Sequence, residues 1–280
     1  MQRTRKIQKA LIFIVLCCLV VVFLTPIFFV LMNSFKGKFY ISDEPFALPM
    51  GDLFVGLENY IAGIDKTDFF AAFGWTAFIT VFSVLVIVLF TSMTAWYITR
   101  VKTKTSEILY YAFVFSMVVP FQMIMFTMSK LADMLKLNNP VGMIVLYLGF
   151  GAGLSVFMFC GFVKSIPLEI EEAAMIDGCN PIKTYFQIVF PILKPTAITV
   201  AILNAMWIWN DYLLPYLVIG VSTPYKTIPV AVQYLMGSYG AKDYGSLMAL
   251  LVLSIIPIIV FYLSCQKYII EGVVAGAVKG

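Results

Sequence analysis

"PLEIEEAAMIDGCNPIKTYFQIVFPILKP", residues 167–195, interrupts a chain of 280 residues that is 61% hydrophobic and 12% charged. It carries Glu169, Glu171, Glu172 and Asp177 beside Lys183 and Lys194. Its local chemistry spells two short helices joined by a tight turn. Pro167 suits a first helical position, where its missing N–H costs nothing. The three glutamates then lie near the positive end of the helix dipole. Gly178 is placed to stop this helix in a left-handed cap. Asn180 can cap the next helix, with Pro181 at its first position. Pro191 and Pro195 are expected to end or bend that second helix. Ala173 and Ala174 would let another protein's backbone approach closely, with Leu168, Met175 and Ile176 offering apolar contact beside them. A helix lying on the membrane surface fits poorly, because the first arm is acidic and the inner leaflet is anionic.

Long apolar runs flank this hairpin. Ala10–Met32, Phe69–Thr99, Ile108–Ser129, Leu137–Val163 and Tyr244–Gln266 carry no charge, and Pro195–Tyr225 carries only Asp211. Each exceeds the ~20 residues that cross a hydrocarbon layer. The predicted fold is therefore all-α and integral to the membrane, with six transmembrane helices. The first run is too long for a signal-peptide core and no A-x-A site ends it. The expected organisation is a basic tail (1–9), a first span (10–32), an extracytoplasmic segment (33–68), a main membrane domain (69–266) and a second tail (267–280). Placing both termini in the cytoplasm puts 12 of the 19 Lys and Arg residues inside, led by Arg3, Arg5, Lys6, Lys9, Arg100, Lys102 and Lys104, and 7 outside. That asymmetry follows the rule that inner loops retain Lys and Arg. The net charge of +4 thus reflects topology and is no sign of nucleic-acid binding.

Several chemistries drop out. There is no histidine, so histidine catalysis and histidine metal sites are excluded. Cys17, Cys18, Cys160 and Cys265 lie in predicted spans and Cys179 in the hairpin, an odd set that reads as free thiols. No G-x-x-x-x-G-K-[ST] loop occurs; the nearest string, "GFVKS" at 161–165, lacks the Gly-Lys pair. No catalytic residue, metal or bound cofactor is expected on this chain. Gly149 and Gly153 have the spacing that lets helices approach closely, read here as packing within the chain. Trp75 and Trp96 lie near span ends, where aromatic belts form, whereas Trp207 and Trp209 are too deep. Asn204, Trp207 and Asp211 recur at spacings of three and four and share a helix face. Asp211 falls ~21 Å from the inner end of its span if the helix is continuous. Together with Asn210 these residues form a candidate translocation path, the alternative being polar glue between helices. Pro215 is expected to kink this helix near an outer gate.

Glu172-Ala173-Ala174, three residues, Gly178, nine residues and Ile188-Val189-Phe190-Pro191 follow the EAA signature, with Phe190 in the usual Leu place. On these residues the chain resembles binding-protein-dependent ABC importer permeases of type I. Glu58-Asn59-Tyr60, Trp209-Asn210-Asp211-Tyr212 and the tail "EGVVAGAVKG" (271–280) are similar to the carbohydrate branch, in particular its shorter, six-helix maltose-type permeases. The resemblance implies that 167–191 is a cytoplasmic coupling hairpin, with Glu172, Ala173, Ala174, Asp177 and Gly178 meeting an ATPase. It implies that Ala275, Gly276, Val278 and Lys279 reach the ATPase dimer and become ordered only there. Implied partners are a second permease, two copies of an ABC ATPase that uses ATP and Mg, an extracytoplasmic solute-binding protein, a mono- or oligosaccharide, and membrane lipid, in a prokaryotic cell membrane. A permease for a non-sugar solute and an ion-coupled secondary transporter remain as alternatives.

Overall fold

The computed structural model describes residues 2–236 and 243–277. Among them no β-strand forms; one isolated bridge pairs Lys36 with Phe54. The helices are α1 (Gln2–Asn33), α2 (Lys38–Asp43), α3 (Glu58–Thr67), α4 (Phe69–Arg100), α5 (Lys104–Val118), α6 (Phe121–Met134) and α7 (Pro140–Val163). There follow α8 (Leu168–Ile176), α9 (Pro181–Thr184), α10 (Phe190–Asn210), α11 (Leu213–Pro215), α12 (Ile228–Tyr234) and α13 (Tyr244–Ala277). Among the described residues five stretches are long and apolar enough to cross a membrane: Gln8–Asn33, Phe69–Arg100, Pro140–Val163, Pro181–Asn210 and Tyr244–Tyr268. The α5–α6 pair, bent by 107°, supplies a sixth when counted as one broken span.

Three breaks differ from the sequence expectation. The run Ile108–Ser129 is not one straight helix. Pro120 has no N–H to give the preceding turn, and Val119 before it takes an extended conformation with φ −75° and ψ 112°. The hairpin's second arm does not end at Pro191 or Pro195. It passes through a π-helical turn, Tyr185–Val189, into α10, which keeps Pro195 inside. α10 stops at Asn210 with Asp211 as its extended C-cap, so Pro215 does not kink it but closes the separate turn α11. At the far end the glycines Gly272 and Gly276 do not halt α13, whose backbone stays helical to Ala277. Val278 and Lys279 lie outside the described residues.

The chain divides into two units. Met1–Phe70 with Ala231–Pro257 forms the first. There Asn59 donates to the carbonyls of Ser34 and Lys36, both at 2.8 Å, and the Tyr60 hydroxyl meets Ser34 Oγ at 2.6 Å. The fully buried Lys36 donates to the Glu44 carbonyl at 2.8 Å. These bonds satisfy the backbone left open where α1 ends. Lys66 pairs with Asp243. Partial burial raises the Asp243 carboxyl, but the bonds from Lys66 and Ser246 outweigh it and hold it below the usual range. Along α1 the side chains from Leu11 to Leu24 stay exposed, as a helix facing lipid requires.

Ala71–Val230 with Ile258–Gly280 forms the second unit. Its core gathers Ile79, Ile87, Met143, Tyr147, Val156, Phe159, Val189 and Leu193. α7 is the axis. A Cβ on Gly151 would lie 2.7 Å from both Asn204 Oδ1 and Ile87 Cδ1, and one on Gly153 would lie 2.9 Å from the Phe113 carbonyl. A Cβ on Gly149 would meet nothing within 4 Å. The close approach therefore uses Gly151 and Gly153, within the chain as expected, and not Gly149. Gly151→Val should lower the thermal midpoint of the detergent-solubilised protein by the ~1–3 kcal/mol typical of overpacking, with Gly149→Ala neutral or stabilising. Equal melting of the two variants would remove α7 from the centre of this packing.

Candidate functional site

Gly178 takes φ +83°, the left-handed conformation expected of it. The amides of Asp177, Gly178 and Cys179 close the end of α8 on the carbonyls of Ala173, Met175 and Ala174, each at 3.0 Å. Asn180 Oδ1 accepts from the Lys183 amide at 2.9 Å and opens α9, with Pro181 following it. Pro167 sits one place earlier than expected, as the N-cap of α8.

A stripe of α4 holds this hairpin. Ser92, Trp96 and Arg100 are four residues apart and so lie along one face. Ser92 Oγ meets the buried Tyr185 hydroxyl at 2.6 Å. Trp96 Nε1 donates to Glu171 Oε2 at 2.9 Å, and its ring lies 5.5 Å from that of Tyr185. Arg100 donates from Nε and a terminal nitrogen to Glu171 Oε1 at 2.9 and 2.7 Å, and also to the Ile166 carbonyl at 2.9 Å. Glu171 is 2% exposed and Arg100 18%. Trp96 is thus no membrane-belt residue; it is a ligand for this carboxylate. Trp75 likewise packs edge-on against Tyr225, with centroids 4.9 Å apart.

The clamp sorts the EAA residues. Glu171 and Ala174 turn inward and are buried. Glu172, Ala173, Met175, Ile176 and Asp177 turn outward, Ile176 being 87% exposed. The expectation of two open alanines holds for Ala173 and fails for Ala174, which packs beneath the helix.

A second polar stripe runs along α7. Tyr147, Gly151 and Ser155 face α10. The Tyr147 hydroxyl donates to Asp211 Oδ2 at 3.0 Å, and the Leu213 amide donates to Asp211 Oδ1 at 3.1 Å. Trp207 packs edge-on against the Tyr147 ring with centroids 5.5 Å apart, yet is itself 42% exposed. Asn204 is buried and donates to Ser155 Oγ at 3.1 Å and the Val200 carbonyl at 2.9 Å. Asn210, exposed, donates to the Met206 carbonyl at 2.7 Å. The structure brings Trp207 and Asp211 together through Tyr147, a residue that sequence reasoning missed. Asn204 belongs to a separate contact. No spacing rule could have paired Tyr147 with Asp211, 64 residues away.

Residues 87–274 match the family described as binding-protein-dependent transport system inner membrane component. The chain is 38% identical to the probable starch degradation products transport system permease protein AmyC of Thermoanaerobacterium thermosulfurigenes, over 98% of each chain. It is 35% identical to the multiple sugar-binding transport system permease protein MsmG of Streptococcus mutans, over the whole of both. Its fold is similar to that of a chain in the crystal structure of a bacterial ABC transporter involved in the import of the acidic polysaccharide alginate. There the TM-score is 0.74 at 22% identity, covering 95% of this chain and 98% of that one. The chain belongs to the binding-protein-dependent transport system inner membrane components.

Proposed function

We propose that this chain is one permease subunit of an ATP-driven sugar importer, passing a mono- or oligosaccharide inward by alternating access. The carrying observation is the hairpin: an exposed acidic and apolar face, Glu172 to Asp177, set on a helix that Arg100 and Trp96 clamp to α4. A small helix gripped this way transmits a push to the span behind it. Relatives named for starch products and multiple sugars support the solute class, and family membership leaves the ion-coupled alternative without support. In this reading both termini and the hairpin are cytoplasmic, and residues 33–68 face outward towards a solute-binding protein. Two ABC ATPase copies supply ATP hydrolysis with Mg, one of them docking on Glu172, Ala173, Asp177 and Gly178 over the buried Ala174. A second permease completes the pathway. In the same reading Ala275, Gly276, Val278 and Lys279, at the end of the chain, meet the ATPases. Trp207 and Asn210 offer the solute an aromatic face and an amide, while Asp211 orients Trp207 through Tyr147.

Uptake of a panel of labelled mono- and oligosaccharides, in cells with and without this chain, tests the function directly. Loss of uptake of at least one sugar is expected; unchanged uptake of all, with loss of a non-sugar solute, would reverse the solute class.

The two neighbouring glutamates should separate. Glu171→Ala takes the carboxylate from Trp96 and leaves Arg100 only the Ile166 carbonyl, a loss of up to ~3–5 kcal/mol for a broken buried pair, and should lower both stability and uptake. Glu172→Ala should leave the melting curve unchanged and lower ATPase attachment and uptake. If Glu172→Ala assembles and transports normally, the docking assignment falls.

Asp211→Asn puts an NH2 donor where one of the two accepting carboxyl oxygens stands, disturbing the bond from Tyr147 or from the Leu213 amide, so uptake per assembled complex should fall about tenfold with assembly retained. A loss of assembled complex with normal uptake per complex would make the residue structural only.

A further inference from the structure

A cleft of about 490 Å³ opens where α4 and α7 end and α5 begins. Lys102 and Lys104 reach it from either side of Thr103, and Lys164 reaches it from the end of α7. None of the three has an ion pair among the described residues. Glu107 also lines the cleft, makes no direct ion pair with any of them and leaves three cations to one carboxylate. Thr103 caps α5 by accepting from the Ser106 amide at 3.2 Å, so the positive end of a helix of 15 residues points into the same space. The Lys164 ammonium rests 5.4 Å from the centre of the Tyr110 ring, which fixes it over the cleft wall.

Just beyond this basic cleft the surface turns apolar. Ile108, Tyr111 and Phe115 project on one face of α5 and are 68%, 60% and 68% exposed. A ligand that matched the whole surface would carry an anionic oxygen cluster at one end and hydrocarbon at the other. Three lysines gathered around the start of α5 and the end of α7 call for a phosphate, and the adjoining stripe calls for an acyl chain. Basic pockets between helices at the inner side of a membrane bind anionic headgroups on these grounds.

We infer that this cleft holds the phosphate headgroup of an anionic phospholipid of the inner leaflet, with an acyl chain laid along Ile108, Tyr111 and Phe115. The placement on the inner side rests on the orientation proposed above; the solute carried plays no part in it. Since α4 carries the Arg100 clamp two residues before Lys102, a lipid bound here also steadies the end of the helix that grips the hairpin.

The test is lipid retention by the assembled transporter, in phosphatidylcholine nanodiscs doped with phosphatidylglycerol, read by native mass spectrometry. Wild-type complex should keep phosphatidylglycerol in preference to phosphatidylcholine. Lys102→Gln, Lys104→Gln and Lys164→Gln should each weaken that retention about fivefold. Lys130→Gln and Lys136→Gln, at the other end of the span, should leave it unchanged. Millimolar inorganic phosphate should not displace the lipid. Equal loss in the control variants, or no preference in the wild type, would overturn the site, and displacement by phosphate would reassign it to a soluble anion. The assay reads binding from either side of the disc, so a wrong orientation shows separately, as labelling of Lys102→Cys from outside intact cells.

Discussion

The buried contact among Arg100, Trp96 and Glu171 is the constraint on which the rest of the reading depends. A carboxylate taken out of water costs several kcal/mol unless its oxygens are filled. Here one oxygen accepts two bonds from Arg100 and the other accepts one from Trp96. The guanidinium also ties down the Ile166 carbonyl, immediately before α8. A hairpin that composition alone would allow to swing as a polar loop is thereby made part of the helix bundle. Its outward face, with Glu172, Ala173 and Asp177, becomes a fixed surface.

Polar groups in the spans of the second unit follow the same logic. In hydrocarbon there is no solvent to satisfy a hydroxyl or amide, so some, such as Thr94 and Asn210, bond carbonyls of their own helix, and two stripes turn towards another helix. Ser92, Trp96 and Arg100 serve α4 against the hairpin; Tyr147, Gly151 and Ser155 serve α7 against α10. The second stripe ends in an aromatic and acidic pair, Trp207 and Asp211, at the point where α10 stops. A helix that ends within an apolar run leaves carbonyls that other donors must satisfy.

Much of this was legible in the residues, and the failures have a common cause. The cap at Gly178 and the start at Asn180 are local events decided within four residues, and both could be read directly. The apolar runs located the spans because length and charge suffice for that. What could not be read was pairing at a distance: Arg100 with Glu171, 71 residues apart, or Tyr147 with Asp211. Glu171 and Glu172 look alike in the sequence, and only the fold turns one inward. The bend at Pro120 was written in the proline, but an uncharged run of 22 residues masked it. Asp211 seemed to lie inside a span for the same reason.

The most direct test of a clamped, outward-facing coupling helix is site-specific cross-linking at Ile176, the most exposed apolar side chain of α8. A benzophenone placed there, in a chain whose five cysteines have been replaced, is photolysed in membranes with and without ATP and vanadate. Ile108, which faces outward from α5, serves as the comparison position. The account predicts a product with an ABC ATPase from Ile176 and none from Ile108, with a yield that changes with the nucleotide state. No ATPase product from Ile176, or equal products from both positions, would contradict it.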